Sequence, residues 1–206
     1  GIPGSQFFDR FGSGSDGQPR SFAFNIGDTL AVDDAVRAFS DGLAATRLQV
    51  PTFYERMAGR GRTSIVAGNM YARGADTWLK PSLVKLARLT KGGALFGLDA
   101  ADFDRDTLDA LVSHIAEHGL PDGAIVTMYF LGLDHESHRC GPQAQGDYLS
   151  QHIDPMVGRL WQVIDSAAAG RSTVVALFSD HGQIGVPAEE HYALRLGFPR
   201  SGVLGR

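Results

Sequence analysis

The order of patterns along this chain predicts an α/β fold, with a mostly parallel central sheet and helices on both of its faces. Two observations carry that expectation. Residues 123–131 (GAIVTMYFL) and 172–178 (STVVALF) are apolar runs without period-2 alternation, as in strands covered on both sides. Before and between them, apolar residues recur every three or four positions, the spacing of helices that bury one side. Strand, helix, strand in this order argues parallel pairing through helical crossovers.

Taken in order, residues 1–30 are rich in Gly, Ser and Phe, and GSGSDG at 12–17 reads as a surface loop. PTFYERMAGRGR, 51–62, predicts a short helix, with Pro51 suited to its first turn and Gly59 or Gly61 to its stop. TSIVAG, 63–68, is a β-branched run expected as a buried strand. Residues 102–119 predict the clearest helix, because Leu108, Leu111, Val112 and Ile115 fall on one stripe. Asp102, Asp104 and Asp106 crowd its start, where the helix dipole favours acids. His114 and His118 lie toward its end as an expected exposed pair, with Gly119 and Pro121 closing it. After the 123–131 strand, Leu149, Ile153, Val157, Leu160 and Ile164 outline a second long helix. Pro155 interrupts that pattern, so the helix is expected to restart or kink at Asp154-Pro155.

Bulk properties narrow the classes. The 206 residues suffice for one domain with a real core, read as a single α/β domain over 1–206. Apolar residues make up 43% and charged residues 20%, an ordinary globular balance. A net charge of −4 without a basic run argues against a nucleic-acid duplex or an anionic membrane surface as partner. The longest apolar runs are too short for a transmembrane segment. Cys140 is the only cysteine, so there is no internal disulfide and no thiolate zinc cage. A lone cysteine, expected as a small, partly buried thiol, fits cytoplasm and periplasm alike. The opening GIPGSQFFDR, without Met, and the close GFPRSGVLGR, without a closing helix, read as a domain incomplete at both ends.

The chemistry-bearing residues follow the two apolar runs. LGLDHESHRCGP, 131–142, places Asp134, His135, Glu136 and His138 in a polar loop after one strand, and Ser179-Asp180-His181-Gly182 follows the other. Parallel strands joined by a right-handed crossover put both carboxyl ends on one edge, where open α/β sheets bind ligands. Asp134, His138, Asp180 and His181 thus become candidate ligands of a shared metal site. Carboxylate and imidazole without thiolate suit Zn²⁺, Mn²⁺ or Fe better than Ca²⁺. His135 and Glu136 are read as loop or orienting residues, His152 as a helix-surface residue and His191 as a loop histidine.

With these residues in place, the chain resembles the type I phosphodiesterase/nucleotide pyrophosphatase family of the alkaline phosphatase superfamily. The family pattern D-x-x-G-H-x-x-G-P is similar to Asp134, His138, Gly141 and Pro142, with Ser137 in place of Gly. Its S-D-H-G pattern matches Ser179 to Gly182, and its opening H-G-I-x-x-N resembles Gly1 to Ser5. The resemblance implies an alkaline-phosphatase-like fold and a hydrolase of small phosphate esters with two divalent cations, Zn²⁺ first and Mn²⁺ as the alternative. It also implies that Asp134 and His138 hold one cation and Asp180 and His181 the other, and that Ser5 donates a hydrogen bond to a phosphate oxygen where the family often has Asn. The family's Thr or Ser nucleophile has no counterpart here and is expected ahead of Gly1; Thr52 opens a helix in the wrong part of the pattern. Other readings are a related phosphomonoesterase, phosphonate hydrolase, sulfatase or phosphoglycerate-mutase-like enzyme, or a non-catalytic metal-binding module.

Overall fold

The computed structural model describes residues 39, 50–85 and 99–185. Ser5, His191 and the GSGSDG stretch lie outside the described residues. The chain divides into two compact units, residues 1–176 and 177–206, and each is considered by itself.

The first unit contains a parallel three-stranded sheet in the order β2-β1-β3, where β1 is Ser64–Ala67, β2 Thr77–Leu79 and β3 Ile125–Met128. Register is set by Ile65 opposite Thr77 on one side and Val126 on the other. β1 is central and buried throughout, as its β-branched run implies; Val66 is 0% exposed. The buried Ser64 at its start is tolerated because its N–H and hydroxyl both donate to Asp76, at 2.8 and 3.2 Å. β2 was not legible in the sequence. It is three residues long, and it forms because β1 offers it a ladder.

Helices cover both faces. On one, α1 (Phe53–Ala58) brings Tyr54 into a cluster with Val66, Ala72, Ala75 and Trp78. Thr52 caps α1 reciprocally with Glu55, so this helix starts at Phe53, two residues beyond Pro51, and Pro51 lies ahead of its cap. On the other face, α2 (Ala100–His118) and a long helix over Asp154–Ala168 pack Leu111, Ile115, Leu160 and Ile164 against Ile65, Ala67, Val126 and Met128. The expected stripe on α2 is therefore the core face. Asp99 caps it by accepting the Ala101 N–H at 3.1 Å.

After β3 come α3 (Gly132–Cys140), a 3₁₀ turn (Pro142–Ala144), α4 (Gln145–Tyr148), a π-helical turn (Leu149–Ile153) and α5 (Asp154–Ala168). The interruption expected at Pro155 takes the form of that π turn: proline supplies no N–H, and the ladder widens just before it instead of breaking. Leu149 departs from the expected stripe and is exposed.

Two strand expectations need correction. Residues 124–131 are only half-buried, because β3 lies at the edge of the described sheet. Residues 172–178 are not a strand. They carry no regular structure, and Val174 and Phe178 are 91% and 84% exposed. An apolar run becomes a strand only where a ladder receives its backbone, and among the described residues no ladder includes this segment. No helix among the described residues is long and apolar enough to cross a membrane.

Candidate metal centre

Asp134 and His138 do not lie in a loop. They stand on α3, which begins three residues beyond β3 at the carboxyl edge of the sheet. One helical turn separates them, so they share a face, and His138 Nε2 is 3.5 Å from Asp134 Oδ1. A carboxylate and an imidazole held this way can grip one cation from one side. Helix i,i+4 spacing supplies the pairing that a loop would have left to chance.

The ends of α3 explain why the polar stretch is helical. Gly141 closes it with a positive φ of 86°, and its N–H donates to Ser137 O at 2.9 Å. Ser137, where the family pattern has Gly, is 3% exposed, and its hydroxyl accepts from Gln145 Nε2 at 2.9 Å. The extra hydroxyl thus has room and a partner. At the other end, Leu131 provides no side-chain cap. Asp104 on α2 reaches across instead and accepts the N–H groups of Leu131, at 2.9 Å, and Gly132, at 3.1 and 3.2 Å.

The neighbours of the pair are accounted for. His135 is half-buried, and burial, only partly offset by Glu136 and Asp134, holds its imidazole below the usual value. Glu136 is gripped by Arg139 through two hydrogen bonds, at 2.8 and 3.0 Å, which ties it to its own helix. Cys140 is exposed, against the expectation of a partly buried thiol, and its thiol is raised chiefly by the neighbouring Glu136. His152 rests against the Tyr148 ring, at 4.9 Å between centroids. The rings of His114 and His118 stack at 4.4 Å, with His114 half-buried and His118 exposed. The Thr52 hydroxyl donates to Arg73 O at 2.5 Å and accepts from Glu55 N at 3.1 Å, so it is engaged in holding α1.

In the second unit, Ser179 to Gly182 are exposed and the chain bends at Asp180. The Ser179 hydroxyl donates to His181 O, and the His181 N–H donates to Asp180 Oδ1 at 3.1 Å. His181 Nε2 lies 4.0 Å from Asp180 Oδ1. Each unit therefore presents one carboxylate and one imidazole close together, a donor set that fits half of a zinc or manganese site. Among the described residues, no three His, Cys, Asp or Glu side chains gather into a fuller one.

Sequence reasoning missed Asp104. Its place near a helix start groups it with the dipole-favoured acids, yet it is 0% exposed. The signal was available: Asp104 stands one turn ahead of Leu108 on the same stripe as Leu111 and Ile115.

Compared with known proteins, residues 55–199 match the family described as type I phosphodiesterase / nucleotide pyrophosphatase. The match spans both polar clusters; the Gly1 to Ser5 stretch falls outside it. Two curated relatives are described as GPI ethanolamine phosphate transferase 2. That of Aspergillus oryzae is 25% identical over 167 residues, covering 80% of this chain and 18% of the relative. That of Aspergillus fumigatus is 27% identical over 116 residues, covering 56% of this chain and 15% of the relative. The chain thus spans less than a fifth of the length of these relatives. No solved structure matches it significantly.

Proposed function

The chain belongs to the type I phosphodiesterase / nucleotide pyrophosphatase family, and on that premise we propose that it forms part of a metal-dependent enzyme acting on small phosphate esters. The observation that carries the reading is the Asp134–His138 pair, on one face of α3 just beyond the carboxyl end of β3. Asp134 and His138 serve as ligands of one divalent cation, and Asp180 and His181 as ligands of a second, with Zn²⁺ the first expectation and Mn²⁺ the alternative. The bound cations supply Lewis-acid stabilisation of charge on the ester oxygens and a lower pKa for the nucleophile. Each carboxylate offsets part of a cation's charge, and each neutral imidazole adds a lone pair without further charge. Ser5 donates a hydrogen bond to a non-bridging phosphate oxygen. The nucleophile is a Thr or Ser hydroxyl in sequence preceding Gly1. Its oxygen attacks phosphorus, the ester alkoxide leaves with the proton the hydroxyl gives up, and water then cleaves the phospho-enzyme and returns a proton to the hydroxyl.

A second reading rests on the relatives' description as transferases. There, an acceptor hydroxyl replaces water in the second step. Turnover of bis-p-nitrophenyl phosphate by the full-length protein, with and without added ethanolamine or glycerol, separates the two. Both routes release one p-nitrophenol; hydrolysis then predicts p-nitrophenyl phosphate as the sole phosphorus-containing product, whereas transfer predicts a new diester of p-nitrophenyl phosphate with the acceptor. Zn²⁺ binding with no turnover of either kind would leave a non-catalytic metal-binding module. Substitution of Asp134 or His138 by Ala is expected to lower turnover by about 100-fold or more, as for loss of a Lewis-acid contribution worth several kcal/mol. Undiminished turnover in both variants would remove the pair from the mechanism.

A further inference from the structure

The most deeply buried charge among the described residues lies outside the four candidate ligands. Asp104 projects from the first turns of α2 into the junction between β3 and α3. Its Oδ1 accepts from the N–H groups of Leu131 and Gly132, and its Oδ2 from the Gly132 N–H and, at 3.0 Å, from the Tyr148 hydroxyl. One carboxylate thus joins the exit of β3, the start of α3 and the end of α4.

We propose that Asp104, with Tyr148, is a positioning residue for the metal-ligand helix, fixing the amino end of α3 so that Asp134 and His138 face one cation. This rests on the function proposed above. Three features converge on it. A helix leaves its first N–H groups without intrahelical acceptors, and α3 has no cap of its own, so Asp104 fills the role from a distant part of the chain. A negative charge there is also favoured by the helix dipole. Packing leaves no slack: a Cβ on Gly132 would press on the Tyr148 hydroxyl and come 2.6 Å from Asp104 Oδ2. Finally, burial works against the charge. Burial outweighs the three kinds of donor and raises the carboxyl to about 6, so the ion sits here at a cost.

The test compares Asp104→Ala, Asp104→Asn and Tyr148→Phe in the full-length protein. Two quantities are read: amide hydrogen exchange across residues 131–138, and Zn²⁺ affinity by calorimetry. Asp104→Ala is expected to speed exchange of the Leu131 and Gly132 amides and to weaken Zn²⁺ binding about 10- to 100-fold, as removal of a group that orients metal ligands does. Asp104→Asn retains an acceptor oxygen and is expected to restore most of that affinity; Tyr148→Phe should fall between the two. If Asp104→Ala does not fold, the other two decide: faster exchange in α3 with unchanged Zn²⁺ affinity overturns the proposal, and so does unchanged exchange in both. Were the wild type to bind no Zn²⁺ at all, the proposed function would fail, while the exchange data would still report whether Asp104 anchors α3.

Discussion

Residues 125–140 and 172–182 read alike as sequence: each is an apolar run that ends in a cluster holding Asp and His. In structure they differ. The first run pairs with β1, turns the carboxyl edge of the sheet and enters a helix pinned at both ends, by Asp104 and by Gly141. The second carries no regular structure and is exposed along its apolar length. The motif that departs from the family pattern, with Ser137 for Gly, is the one with built geometry. The intact S-D-H-G motif rests on exposed chain. Motif fidelity and structural definition are separate properties, the first reporting chemistry and the second how many backbone and side-chain partners hold it in place.

Paired substitutions break or confirm that contrast. Ile115 packs under β3 with Val126 and Met128, so Ile115→Ala should cost roughly 2–5 kcal/mol in urea unfolding. Phe178→Ala should change stability by no more than about 0.5 kcal/mol, since the ring is exposed. A cost above about 1 kcal/mol at Phe178 would mean that the second run is packed after all.

The anchor of the first region also carries a pH signature. Burial raises the Asp104 carboxyl to about 6 in the folded protein, above the ordinary aspartate range of about 4, so the folded state retains a proton that the unfolded chain releases. Its contribution is therefore fully present below about pH 4 and lost as pH rises through about 6. Unfolding free energies of wild type and Asp104→Asn, measured from pH 4 to 7, should diverge by up to about 3 kcal/mol in favour of the variant at the upper end. Parallel curves would deny that the carboxylate is buried as an ion.

How much of this was legible follows from the kind of force involved. The α2 stripe is a burial period, and it correctly identified Leu108, Leu111 and Ile115. α3 is not legible as a helix because it has one apolar interior residue, Leu133, and is held by Asp104 and Tyr148, whose link to it is invisible in local sequence. The ligand types at Asp134 and His138 could be read from chemistry alone, but their shared face could not. β2 was too short to show a pattern, and 172–178 has the composition of a strand without a ladder to join.

Smaller effects sharpen the picture of α3. Ser137→Gly restores the family residue but removes a partly buried hydrogen bond and inserts a flexible residue in a helix; a loss of about 1–2 kcal/mol is expected, with Zn²⁺ affinity unchanged. Thermal melts and calorimetry on the same samples check both halves. Arg139→Ala removes only a pair along the surface of the helix, and its effect on stability should stay below about 0.5 kcal/mol.

The central claim is that Asp134 and His138 hold a cation, and a calorimetric Zn²⁺ titration of wild type against Asp134→Ala tests it most directly. Wild type is expected to bind at least one equivalent and the variant one fewer, with the fold intact by circular dichroism. Less than one equivalent in the wild type, or the same stoichiometry and affinity in both proteins, would contradict it.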